Sequence, residues 1–130
     1  MIVAVDTNVW ARYLTWDDEK QSRQAAEVIE NADALVVPTI VLCELAWVLK
    51  KAYGCGAQEI ADALRDIAGS VNVSVDRPAV EAGLAALSAG ADFADGVIRF
   101  EAERLQADRL YTFDRAFARG VDTGKVVLLG

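Results

Sequence analysis

Val3-Ala4-Val5-Asp6-Thr7-Asn8-Val9-Trp10 is the stretch whose reading decides the fold: a β-rich apolar run meets three polar residues, then turns apolar again. Such a run predicts a buried strand with Asp6, Thr7 and Asn8 at its carboxyl end and a helix starting at once. Asp, Thr and Asn all accept hydrogen bonds from the free N–H groups of a helix's first turn, so a cap alone would explain the carboxylate. Whether it does more depends on what the rest of the chain brings to it.

The sequence has 130 residues, 54% of them hydrophobic, enough for one domain over residues 1–130 with a core of its own. The opening apolar run is too short for a signal-peptide core, and no later stretch stays apolar long enough to cross a bilayer. A cytoplasmic protein without membrane contact is expected. Cys43 and Cys55 have no metal-ligand partner nearby in sequence and read as reduced structural thiols. Thirteen basic against 20 acidic residues give a net charge of −7, which argues against a broad basic nucleic-acid face. Acids gathered around metal ions would escape that objection, because the ions neutralise them. The chain has no histidine. That excludes Ser-His-Asp and Cys-His machinery and any His-ligated zinc site, so hydrolytic chemistry would rest on carboxylates. Hard cations with oxygen ligands suit such a site, magnesium or manganese before zinc.

After the first strand, β-rich runs at Ala34 to Val37, Val71 to Val75, Arg109 to Tyr111 and Val126 to Leu129 alternate with helical patterns. The alternation predicts an α/β fold with a parallel sheet covered by helices. Thr15 to Ala32 reads as a surface helix with acids early and Ala25, Val28 and Ile29 late. Gln58 to Ala68 places Ile60, Leu64, Ile67 and Ala68 on one face. A helix starting at Pro78 after Asp76 has Val80, Leu84 and Leu87 as its buried stripe and closes at Ser88-Ala89-Gly90. Trp10, Trp16 and Trp47 read first as core residues and second as a partner face.

Three further acids stand out. Pro38 to Leu49 is apolar nearly all round apart from Glu44, whose helical neighbours Ile40, Val41, Trp47 and Val48 offer it no cation. An isolated buried carboxylate there would need a positive partner, whereas a rim position would face water. In Asp92-Phe93-Ala94-Asp95-Gly96, Asp92 reads mainly as the cap of a helix running to about Ala107, and Asp95 mainly as functional. Gly96 in that first turn costs about 1 kcal/mol relative to Ala, which suggests that something approaches the backbone closely. Leu110-Tyr111-Thr112-Phe113-Asp114 repeats the pattern of a strand ending in polar residues, followed by a short helix stopped near Gly120. Open parallel sheets gather such positions on their carboxyl edge. Four carboxylates converging there would repel one another unless divalent ions met them, and an all-carboxylate site of that kind suits phosphodiester hydrolysis.

With these motifs in order, the sequence resembles a PIN-domain ribonuclease of the VapC type, the toxin of prokaryotic toxin–antitoxin pairs. VDTNVW resembles that family's opening motif, LCELAWVL its glutamate helix, DFADGVI its central aspartate motif and YTFDRAF its final one. The resemblance spans the whole chain. It implies a parallel sheet with helices on both faces, and Asp6, Glu44, Asp95 and Asp114 as the catalytic, metal-binding acids. Asp92 would be an accessory acid, with Asn8 and Thr112 as supporting hydrogen-bonding residues. It further implies magnesium-dependent cleavage of RNA, such as the loops of tRNA or rRNA, together with homodimerisation and inhibition by a VapB-type antitoxin. Gly96 departs from the family pattern, where Ala is commoner.

A receiver-like phosphoacceptor domain is the alternative from another class, being a small parallel α/β fold with acids and magnesium. It resembles a pattern with paired acids after the first strand and a lysine after the last, whereas here Asp6 stands alone and Lys125 precedes the final strand. A haloacid-dehalogenase-type phosphatase would need an acid at position 8, which is Asn. Arg99, on the same helical face as Asp95, reads as a solvated charge or a partner for Glu103 before it reads as a phosphate contact.

Overall fold

The structure, a computed structural model, describes residues 1–118 and 125–130. It divides into two compact units, Met1–Asp76 and Arg77–Gly130. The first unit runs β1 (Ile2–Val3), α1 (Thr7–Thr15), α2 (Glu19–Asn31), β2 (Ala34–Val36), α3 (Thr39–Lys51), α4 (Ala57–Ala68) and β3 (Val73–Ser74). Its sheet has the order β1-β2-β3 with every pairing parallel, Ile2 opposite Ala34 and Leu35 opposite Val73. Parallel strands need helical crossovers between them, and the alternation of strands with helices supplies these. Trp10, Leu35, Val37, Leu42, Leu45 and Leu64 are buried.

The helical periodicities account for most of this unit. Ile60, Leu64, Ile67 and Ala68 are the buried face of α4, as their spacing predicts. Two expectations need correction. The first strand is Ile2–Val3 rather than a buried Val3 to Val5, with Ile2 exposed and Val3 only half-buried. Within the first unit β1 pairs with β2 through Ile2 and Val3, and by Asp6 the chain has turned into the cap of α1. Nor is Thr15 to Ala32 one helix. Trp16 takes a left-handed conformation (φ 54°) that ends α1, and Asp18 accepts the Gln21 N–H to cap α2 afresh. Ala25 and Ile29 are buried on α2 while Val28 is 49% exposed. Of the tryptophans only Trp10 is core, and Cys43 and Cys55 are free thiols.

The second unit runs α5 (Arg77–Ser88), α6 (Phe93–Arg104), β4 (Leu110–Thr112), α7 (Arg115–Ala118) and β5 (Val126–Leu128). β4 and β5 pair in parallel, Leu110 opposite Val126 and Thr112 opposite Leu128. Val80, Leu84 and Leu87 are buried on α5, and Gly90 closes the helix in the left-handed region (φ 94°). α6 ends at Arg104, short of Ala107, with Gln106 left-handed just beyond it. The expected stop near Gly120 lies outside the described residues.

α5 and α6 approach so closely that each gives up a side chain to the other. The Phe93 ring lies over Gly83, where a Cβ would come within 2.4 Å of a ring carbon. A Cβ on Gly96 would meet the Ala82 carbonyl oxygen at 2.2 Å. The close approach expected from Gly96 is therefore the backbone of α5. The sequence preference for Ala in a helix then acts in the opposite direction to the packing: propensity favours Gly96→Ala by about 1 kcal/mol, while overpacking against a backbone atom that cannot swing aside costs about 1–3 kcal/mol. Packing should win, so Gly96→Ala is expected to lower the urea unfolding midpoint; an unchanged or raised midpoint would mean that α6 slides away from α5 at no cost.

Candidate active site

In the first unit the turn after β1 does two jobs with consecutive residues. Asp6 adopts extended backbone (φ −84°, ψ 179°) and its Oδ1 accepts the Val9 N–H at 3.3 Å, so it caps α1. Thr7, buried in the first turn, donates its hydroxyl to Glu44 Oε1 on α3 at 2.9 Å. Glu44 is thereby held one residue along the chain from Asp6. The possibility of a buried, unpartnered Glu44 is set aside, because its residue is exposed. α3 has a wet face after all: Ile40, Glu44 and Trp47 lie along it, opposite Val41, Leu42, Leu45, Ala46 and Leu49. Ile40 is 65% and Trp47 61% exposed, so apolar composition hid a solvent-facing stripe.

In the second unit the acids again sit at helix starts. Asp92 caps α6, and its N–H donates to Asp95 Oδ2 at 3.0 Å, the reach-back of a capping box. Asp114 Oδ1 accepts from the N–H groups of Ala116 (2.8 Å) and Phe117 (3.3 Å) at the start of α7. Thr112 Oγ1 accepts the Asp114 N–H at 3.0 Å, fixing the turn from β4. Capping and a second role do not compete for the same atoms. Among the described residues, Oδ2 of Asp6, Oε2 of Glu44 and Oδ2 of Asp114 accept no hydrogen bond. Carboxylate oxygens left in this way are hard donors of the kind magnesium or manganese takes. Asp6 and Glu44 belong to the first unit, and Asp92, Asp95 and Asp114 to the second. Among the described residues, neither unit by itself gathers three acid or cysteine side chains into a group that could hold a metal ion.

A family model described as the PIN domain matches residues 3–121. The chain belongs to the PIN-domain family. No curated protein is a match to it. PIN domains are typically metal-dependent nucleases, and the parallel α/β architecture seen here is that of the family. Among the described residues of this PIN domain no helix is long and apolar enough to cross a membrane. Two features of it escaped the sequence reading. Thr7 looked like a spare cap beside Asp6, and only its burial distinguishes it. The other is a clamp at the far end of α1.

There Arg12 donates from one guanidinium nitrogen to both Asp17 oxygens (3.0 and 3.1 Å) and from Nε to Gln21 Oε1 (2.8 Å). The Tyr53 hydroxyl, brought in just past α3, donates to Asp17 Oδ2 at 2.5 Å. Hydrogen bonding from Tyr53, helped by Thr15 and the charge of Arg12, holds the Asp17 carboxyl below its ordinary range. A carboxyl lowered on folding contributes its stabilisation in full above the unfolded value, near pH 4, and loses it as pH falls through the folded value. Wild type should therefore lose stability more steeply on acidification below about pH 4 than Tyr53→Phe does; unfolding midpoints between neutral pH and that range check this, and parallel profiles would remove Tyr53 from the clamp.

Proposed function

We propose that this PIN domain, taken as one domain over residues 1–130, is a metal-dependent endoribonuclease of the VapC type. Asp6, Glu44, Asp95 and Asp114 would hold magnesium, or manganese in its place. Bound there, a divalent ion supplies an activated water and a charge that steadies the leaving oxygen of a phosphodiester. The observation that carries the reading is the Thr7–Glu44 hydrogen bond, which ties one oxygen of Glu44 on α3 to the residue directly after Asp6 in the chain. The chain's own contribution is orientation. Helix-start N–H groups fix Asp6 and Asp114 by one oxygen each, and the Asp92 N–H fixes Asp95. Those same N–H groups lie at the positive ends of their helices, which favours the charged form of each carboxylate where it stands. Asp92 is the accessory acid and Thr112 supports the turn that carries Asp114, while Asn8, expected as a second supporting residue, keeps its amide unspent among the described residues.

Single-stranded loops of tRNA or rRNA are the proposed substrates, since bases free of a duplex can be splayed out and recognised. A cognate VapB-type antitoxin and a second copy of the chain are the proposed partners, with exposed Trp16, Ile40 and Trp47 as supporting features, because large apolar side chains left in water favour protein contacts. Expression of the chain alone should slow growth of its host, and co-expression of the antitoxin should relieve it; unaffected growth with folded protein present in the cells would remove the toxin role.

Purified protein should cleave RNA with magnesium or manganese and fall silent in EDTA. Asp95→Asn should abolish cleavage yet leave the metal-free protein as stable as wild type or more so, because Asn removes the charge but its amide oxygen can still accept the Asp92 N–H. Magnesium at a hundredfold excess over its dissociation constant should stabilise wild type by about 2.7 kcal/mol and the Asn variant far less. Melting temperatures of both proteins, with EDTA and with magnesium, decide it; if magnesium shifts neither, or both equally, Asp6, Asp95 and Asp114 serve their helix starts and nothing more.

A further inference from the structure

A cavity of about 590 Å³ opens in the first unit between α1 and α2, and Asp6 is part of its wall. Its size falls within the roughly 300–1,000 Å³ usual for small-molecule sites. Three side-chain amides line it, Asn8, Gln21 and Gln24, against an apolar floor that includes Val9, Ala25 and Val28. Among the described residues, neither the Asn8 nor the Gln24 amide makes a hydrogen bond, and Gln21 spends only its oxygen, on Arg12. The single cation of the lining, Arg12, is committed to Asp17. Among the described residues a phosphate would find no unspent positive charge in this cavity, and Asp6 would repel it. An uncharged, flat group with both donors and acceptors on its edge meets the lining on every count: the apolar floor takes its face, and amides, which both donate and accept, pair with its edge.

We propose that the cavity receives one unstacked base of the RNA strand, read by the amides of Gln24 and Gln21 with Asn8 at the Asp6 end. This rests on the ribonuclease reading above and deepens it, making α2 the element that selects which base lies beside the cut. Recognition of single-stranded RNA through base edges and base faces permits sequence choice without a broad basic surface, which suits a chain with a net charge of −7.

The side-chain NH₂ groups of Asn and Gln give their own signals in nitrogen–proton correlation spectra, which allows a test free of metal and of cleavage. Adenosine, guanosine, cytidine and uridine are titrated separately into labelled full-length protein in EDTA. One or two of the four should shift the Asn8, Gln21 and Gln24 side-chain signals saturably, and Gln24→Leu, which keeps the helix and the stem but deletes the amide, should weaken that nucleoside about tenfold, the scale of a good amide–base pair. No shift from any nucleoside overturns the proposal, even for a protein that cleaves RNA. Equal shifts from all four also overturn it, since an apolar cleft would take any flat ring. A companion arm sequences the RNA ends left by wild type and by Gln24→Leu with magnesium: loss of base preference next to the cut supports the proposal, and an identical preference overturns it. Selective nucleoside binding by a protein that cleaves no RNA would instead overturn the ribonuclease reading and leave the base pocket standing.

Discussion

A carboxylate has two oxygens, and in this chain each candidate acid engages at least one of them with a group at a helix start. Asp6 and Asp114 accept first-turn N–H groups, Asp95 accepts from the backbone of Asp92, and Glu44 accepts from Thr7, itself a first-turn residue of α1. Helix initiation and the placing of acids are thus one act of folding. A side chain pinned through one oxygen loses rotamer freedom before any ligand arrives, so less ordering remains to be done on binding. Asp6 and Asp114 come just past β1 and β4, where the polar residues that start the next helix follow a strand, whereas Asp92 and Asp95 follow α5.

How far this could be read from the sequence differs by residue. The faces of α4 and α5 were legible because Ile60, Leu64 and Ile67, or Val80, Leu84 and Leu87, repeat at helical spacing and nothing else competes for that pattern. The positions of Asp6, Asp92, Asp95 and Asp114 at helix starts were legible for the same local reason. For Glu44 the sequence left a buried and a water-facing position both open, and only tertiary packing tells that it is exposed and that Ile40 and Trp47 share its face. The break between α1 and α2 escaped because a tryptophan in the left-handed region carries no sequence signal of the kind glycine does. Thr7 escaped because its partner is 37 residues away.

The second unit depends on missing side chains as much as on those present. Gly83 and Gly96 let α5 and α6 come to backbone contact, and Phe93 fills the space over Gly83 from the residue directly after Asp92. The aspartates of α6 are therefore seated on a helix whose position is fixed by hard contacts rather than by flexible side chains. Interiors packed this tightly move as rigid pieces. Displacing α6 would displace Asp92 and Asp95 together.

The exposed face of α3 has an optical consequence. Trp47 stands one helical turn beyond Glu44 on that face, whereas Trp10 is sealed in the core at 3% exposure. An indole in water emits at longer wavelength than one in an apolar interior, and a charge arriving near it shifts or quenches that emission. Trp16 is exposed too, so in a Trp16→Phe background the red edge of the intrinsic fluorescence carries the signal of the surface around Glu44, and its blue edge that of the core. Occupation of the acid by an ion and loosening of the fold should be separable by colour in a single unlabelled sample.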